Sequence, residues 1–265
     1  MKRPSVCVLR SAGTNCDKET AFAFKKAGAV AELVHINKII SGCRSLSDFQ
    51  ILAVPGGFTY GDDLGAGRIF ANELRYKLNE CLGGFISEGK LVIGICNGFQ
   101  ILVKSGFLPG NDSFTQDASL IINDSGKFED RWVYLKIQNP KSKIQNCVWT
   151  RNLPQVIYLP VAHGEGKFVT RNKAALDHLR KNDQIVFRYC NKEGASSGYP
   201  DNPNGSLDDI AGICDSTGRI FGLMPHPERH IEFVQNPHWT SLGRKMHGDG
   251  LRIFQNGVEY ARKNL

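Results

Sequence analysis

Short apolar runs separated by helix-forming stretches dominate the first part of the chain. Val6–Leu9, Val30–Ile36, Phe49–Val54 and Leu91–Ile95 each have the length of a strand. Strands that alternate with helices in this way point to a parallel sheet covered on both faces. Between them, Asp17–Ala27 is rich in helix formers and Gly28 closes it as a carboxy-terminal cap. Ile69–Ile86 carries Leu74, Leu78 and Leu82 at four-residue spacing, the stripe of one amphipathic helix. After Gly106 the pattern changes. Trp132–Ile137 and Ile185–Tyr189 alternate apolar with polar residues, as half-buried antiparallel strands do. Asn191–Ser206, rich in Asn, Gly, Ser and Pro, reads as a surface loop. Ile210–Cys214 and Ile220–Met224 flank Asp215–Arg219 as a hairpin, and Asp249–Lys263 is a closing helix. The expectation is one α/β domain over residues 1–265: a mostly parallel sheet with helices on both faces and an antiparallel β extension. Residues 111–150 carry no motif and leave room for an insertion.

Composition narrows the class. The chain has 265 residues, 41% of them hydrophobic, which is enough for one large core. No apolar run is long enough to span a membrane, and the start lacks the apolar stretch of a signal peptide, so a cytoplasmic protein is expected. The 8 cysteines are scattered, with no Cys-x-x-Cys pair and no zinc-finger spacing. They read as reduced thiols, most of them structural. A net charge of +7 is spread along the chain without aromatic–basic repeats. That argues against nucleic-acid binding and leaves solubility, or an acidic or phosphorylated partner, as the reason for the excess.

The stretch with the most chemistry is Leu91–Ile101. A buried strand climbs to Gly94, turns at Cys96 and passes through Gly98 into a helical pattern. This is the Gly-x-nucleophile-x-Gly elbow with cysteine as the nucleophile. A tight turn of this kind strains its central residue, and the flanking glycines remove side chains that would clash. The start of the following helix favours a thiolate. An inert core cysteine is the alternative reading.

A cysteine nucleophile needs a base, an orienting group and oxyanion donors. His226, in Met224-Pro225-His226-Pro227-Glu228, is the best base. Pro227 biases it toward extended backbone, so His226 and Glu228, two apart, face one space. A turn histidine held between prolines is the plain alternative. Ala162-His163-Gly164-Glu165-Gly166 also spells His-x-Glu, but its glycines hold a base poorly, and lining a pocket with backbone groups suits it better. The amide of Asn97 and a glycine amide from Pro55-Gly56-Gly57-Phe58 are the candidate oxyanion donors, against an ordinary turn at the glycines. Gly61–Arg68 lacks the ending of a phosphate loop. Asp62 and Asp63 have no third ligand at useful spacing, so no metal is expected there and a capping or interface role fits better.

Taken together, Gly94-Ile-Cys96-Asn-Gly98-Phe-Gln100 and Pro225-His226-Pro-Glu228 resemble the class I glutamine amidotransferases. Asn97 and the Phe99-Gln100 pair narrow this to the family of glutaminase subunits of phosphoribosylformylglycinamidine synthase. Gly13-Thr-Asn-Cys-Asp17, Pro55–Asp62, Ala162–Gly166 and Asn202–Ser206 add to that likeness. The resemblance implies a flavodoxin-like sheet and a Cys96–His226–Glu228 triad that hydrolyses L-glutamine through a thioester. It implies an oxyanion held by Gly57 and Asn97, with Gln100 and the loop of His163, Gly164 and Glu165 on the amino-acid end of glutamine. Ammonia would pass to a synthetase subunit in purine synthesis, with a small accessory subunit left open. It implies no cofactor in this chain, with ATP and magnesium on the partner. A glutaminase serving another synthetase, or a redox or chaperone-like protein that uses only a cysteine elbow, are the alternatives. The latter needs no oriented His–Glu pair.

Overall fold

In a computed structural model that describes residues 3–110, 115–138, 147–243 and 246–265, the apolar runs become the strands of one nine-stranded sheet. The first half of the chain contributes β1 (Ser5–Arg10), α1 (Asp17–Lys26), β2 (Val30–His35), α2 (Ile36–Ile40), β3 (Ile51–Val54), α3 (Arg68–Lys77), α4 (Asn79–Ser87), β4 (Leu91–Ile95) and α5 (Asn97–Lys104). The second half adds β5 (Ala118–Ile121), β6 (Glu129–Ile137), β7 (Val156–His163), β8 (Lys167–Thr170), α6 (Lys173–Lys181), β9 (Ile185–Cys190), β10 (Ile210–Cys214), β11 (Ile220–Leu223) and α7 (Leu251–Asn264).

The sheet runs β2-β1-β3-β4-β11-β10-β9-β6-β7. The pairings from β2 to β11 are parallel. Those from β11 to β7 are antiparallel. The β2-β1-β3-β4-β11 half has the flavodoxin-like order. α3 packs against both α4 and α5, and α7 packs beside α1. β5 and β8 form a separate antiparallel pair against α5. One apolar core runs through the sheet, with Phe24, Phe70, Phe99, Phe187, Phe221 and Phe254 fully buried.

Three expectations are corrected. The single helix over Ile69–Ile86 is two, α3 and α4, broken at Leu78 where φ is −125° and ψ 9°. Leu74, Leu78 and Leu82 are all buried, so one apolar stripe crosses the break and conceals it. Asn191–Ser206 has no regular element, as expected, but its second part is not on the surface. Asn202, Asn204 and Ser206 are buried, where Asn204 donates to the Tyr189 hydroxyl and Ser206 Oγ accepts from the Phe168 amide. The closing helix starts at Leu251, because Asp249 turns back to accept from the Tyr158 amide at 3.0 Å. Within 111–150, β5 and all of β6 lie in the described part, while 111–114 and 139–146 lie outside the described residues.

Candidate active site

Carboxyl ends of β1, β3, β4 and β11 meet at one edge of the sheet, around the point where the strand order reverses. This is where open α/β sheets bind ligands. Cys96 sits there between β4 and α5 with φ 50° and ψ −106°. A residue held with positive φ at such an angle stores about 1–3 kcal/mol of strain. The surroundings enforce it. A Cβ on Gly98 would lie 1.8 Å from the Val54 carbonyl, and one on Gly94 would lie 2.6 Å from the Gly98 carbonyl. The elbow therefore closes only with glycine on both sides of the cysteine.

Its partner arrives from β11. The His226 amide donates to the Pro160 carbonyl at 2.8 Å, fixing the chain as it leaves the sheet. His226 itself is extended, but Pro227–Arg229 forms a short 3-10 turn rather than continuing extended. The turn still brings the two side chains together, with His226 Nδ1 2.7 Å from Glu228 Oε1. Both are buried. Burial disfavours a charged imidazole, yet the Glu228 carboxylate, with Cys96 and Cys16 beside the ring, outweighs it and holds His226 well above the usual imidazole range. Cys96 and His226 line the same crevice of about 170 Å³. The structure thus brings together Cys96, His226 and Glu228.

The turn is braced from behind by the tail. The Gly250 amide donates to the His230 carbonyl at 2.8 Å, and a Cβ on Gly250 would strike the Pro227 carbonyl at 2.1 Å. His230 Nδ1 and the Tyr158 carbonyl are 2.7 Å apart. Residues after Arg229 therefore serve to seat the His226–Glu228 turn and α7.

On the other side of Cys96, Gly57 has φ 145°, and a Cβ there would lie 2.7 Å from the Asn15 amide nitrogen. The Phe58 amide donates to the Gly13 carbonyl and the Cys16 amide to the Gly56 carbonyl, joining the loops after β1 and β3. Asn97 begins α5, so its amide has no acceptor within the helix. Its side chain is fully used. Oδ1 accepts from the Thr59 hydroxyl at 2.7 Å, and Nδ2 donates to Asp62 Oδ1 and Gln100 Oε1. Asp62 Oδ1 also accepts from the Gly67 amide at 3.1 Å. That bond ties the loop ahead of α3, whose N-cap, Gly67, has no side-chain cap. Burial, above all, raises its carboxyl above the ordinary range.

A second cleft of about 230 Å³ opens beside the nucleophile, lined by Gly57, Cys96, Gln100, His163, Gly164 and Glu165 among others. Two larger clefts among the described residues are lined by no cysteine. The sequence-expected glutamine-binding residues thus converge, but not all with free side chains. Gln100 Nε2 donates to the Glu165 carbonyl at 2.6 Å, so its amide is spent holding that loop. His163 is buried between Asn123 Oδ1 at 3.2 Å and Asn204 Nδ2 at 3.4 Å. Burial, with His226 nearby, lowers its pKa to about 4, so it stays neutral and does not rival His226. Backbone groups and the Glu165 carboxylate face the cleft instead. That carboxylate meets the Ala66 amide at 3.3 Å and Lys104 Nζ at 3.5 Å.

Sequence reasoning assigned no role to Cys16, Lys104, Asn123 or Arg229. Cys16 is 1% exposed and receives the Arg229 guanidinium at 3.2 Å. Burial pushes its thiol up, against the opposing pull of the nearby His226 and Arg229. Its place in the Gly13–Asp17 motif was the signal that could have drawn attention to it. Lys104 and Asn123 stand in no motif and are found only through long-range contacts.

The elbow, the oriented His–Glu pair and the flavodoxin-like half-sheet define a class I glutamine amidotransferase. In agreement, residues 3–261 match the CobB/CobQ-like glutamine amidotransferase domain, and the chain belongs to that family. It is 50% identical to phosphoribosylformylglycinamidine synthase subunit PurQ of Dehalococcoides mccartyi, covering 99% of this chain and all of the relative. It is 43% identical to the PurQ subunit of Archaeoglobus fulgidus over 97% of each chain. A chain in the structure of PurLQS from Thermotoga maritima superposes with a TM-score of 0.73 at 31% identity, covering 98% of this chain and 99% of that one.

Proposed function

We infer that this chain is the glutaminase subunit of phosphoribosylformylglycinamidine synthase, in purine biosynthesis. It is an amidotransferase that hydrolyses L-glutamine and supplies ammonia to a synthetase subunit. Full-length identity to PurQ subunits carries the assignment of the reaction, and the buried Cys96–His226–Glu228 arrangement carries the chemistry.

In this reading the Cys96 thiolate attacks the side-chain amide carbon of glutamine. The oxyanion develops against the amides of Gly57 and Asn97. An amide leaves poorly unless its nitrogen is protonated, and His226, charged through Glu228, delivers that proton as the C–N bond breaks. Ammonia departs and a γ-glutamyl thioester remains on Cys96. Neutral His226 then takes a proton from water, which attacks the thioester and releases glutamate and the thiolate. The Glu165 carboxylate and the backbone of His163–Gly164 hold the amino-acid end of the substrate. Gln100 acts through Glu165 rather than on glutamine directly. ATP and magnesium belong to the synthetase subunit. All eight cysteines are free, which supports a reducing, cytoplasmic setting.

The test uses the chain assembled with its synthetase subunit. Cys96→Ala is expected to abolish glutamine-dependent product formation while ammonia-dependent formation persists. Persistence of both would overturn the reading. Labelling with an electrophilic glutamine analogue is expected to modify Cys96, and modification of another thiol in its place would remove the mechanism.

A further inference from the structure

Cys16 takes no part in the thioester chemistry, yet the fold buries it against the working imidazole. One donor atom each from Cys16, His226 and Glu228 lie within 4.8 Å of one another. His226 Nε2 and Glu228 Oε2 are buried and make no hydrogen bond. Buried polar atoms left without partners are costly, and each calls for an explanation. Gly56 is what lets the groups crowd together. A Cβ on it would lie 2.8 Å from His226 Cε1, 3.3 Å from Cys16 Sγ and 3.4 Å from Cys96 Cβ.

A thiolate, an imidazole and a carboxylate are the donor types of a tetrahedral zinc centre. Bonds of about 2.0–2.3 Å set such donors roughly 3.3–3.8 Å apart. His226 Nδ1 and Glu228 Oε1, at 2.7 Å, are already closer than this, so a metal would replace their hydrogen bond while the sulfur, within 4.8 Å, moves inward by up to about an ångström. Arg229, 3.2 Å from Cys16 Sγ and itself paired with Glu19 at 3.2 Å, works against the burial that keeps this thiol protonated. Chain spacing alone conceals the cluster, since Cys16 follows β1 and the His–Glu turn follows β11.

We propose that Cys16, His226 and Glu228 form a binding site for a soft divalent cation of the zinc type, and that its occupancy reversibly silences glutamine hydrolysis. Binding releases the Cys16 proton and the extra proton of the charged His226 to solvent, with no change of oxidation state. A ring nitrogen held by metal carries no proton to the leaving ammonia. The silencing rests on the role given above to His226, whereas the metal site does not depend on it.

Titration of the full chain with Co²⁺ tests the site, read by the thiolate-to-cobalt charge-transfer band. The wild type is expected to show the band at about one equivalent. Cys16→Ser should remove it and weaken affinity by about tenfold or more, while Cys96→Ser keeps it. A band that survives Cys16→Ser and vanishes in Cys96→Ser would overturn the proposal, as would no band in the wild type. Zinc-edge X-ray absorption on the wild-type chain needs no variant. It should show one sulfur with nitrogen and oxygen donors, and a shell of nitrogen and oxygen alone would refute the site. In the assembled enzyme, zinc should inhibit glutamine-dependent turnover and a chelator should restore it. Full occupancy without inhibition would refute the silencing. Loss of glutaminase activity in the metal-free wild type would instead strike the functional reading and leave the cobalt band untouched.

Discussion

Thr59 donates its hydroxyl to Asn97 Oδ1 at 2.7 Å, so the residue after the nucleophile uses its side chain to hold the loop that carries Gly57. Together with the Thr59 amide, which donates to the same oxygen at 3.3 Å, this bond fixes the separation of the two amides proposed to hold the oxyanion. Replacing Thr59 by Val keeps the shape and removes the donor. The expected result is a fall in kcat of roughly fivefold to tenfold, corresponding to about 1–1.4 kcal/mol, with KM for glutamine little changed. Steady-state glutaminase kinetics check this, and a change confined to KM would contradict it.

His163 supplies a pH dependence. Its folded pKa of about 4 lies below the unfolded value of about 6.5. Between these values the unfolded chain binds a proton that the folded chain does not. Stability is therefore full above about pH 6.5 and falls as pH drops toward 4, by roughly 3 kcal/mol in all. Thermal unfolding of the wild type and His163→Gln across this range should show a flatter profile in the variant, even where its neutral-pH stability is lower through the altered contacts to Asn123 and Asn204. Parallel profiles would rule out His163 as the titrating group.

Two glycine substitutions separate close packing from open space. Gly98→Ala drives a methyl group into the Val54 carbonyl and is expected to cost about 3 kcal/mol or more, or to prevent folding. Gly83 lies in α4 with nothing within 4 Å of its would-be Cβ. Gly83→Ala should be neutral or stabilise by about 0.5–1 kcal/mol through helix propensity. Denaturant unfolding of both variants gives the comparison directly.

Lys104 donates to the Ala66 carbonyl at 2.6 Å and stands 3.5 Å from Glu165. Burial lowers its pKa. Lys104→Met should loosen the cleft wall that carries Glu165. KM for glutamine is expected to rise roughly threefold to tenfold while kcat changes less, since Lys104 touches no reacting group. A loss in kcat alone would place Lys104 in the chemistry.

The elbow was legible in the sequence because its determinants are local. A strand, two glycines and a helix start occupy one short stretch, and the same glycines that suggested the turn are those that sterically close it. The His226–Glu228 pair was legible for the same reason, although the geometry comes from a 3-10 turn and not from extended backbone. β7 escaped notice because Pro160 interrupts its alternation. Pro160 is tolerated there because β7 is the edge strand, and its carbonyl is what anchors the His226 amide. Cys16, Asn123 and Lys104 were missed because their partners lie on distant segments, joined only when the sheet closes. The break at Leu78 was missed because both helices present their leucines to the same core.

The bracing of the His226–Glu228 turn by Gly250 and α7 has a temporal consequence. The sulfur is synthesised long before the imidazole, and the segment that locks the imidazole emerges later still. A growing polypeptide therefore carries an inert thiol through most of its translation, and the ability to consume an amino acid appears only as the last helix docks.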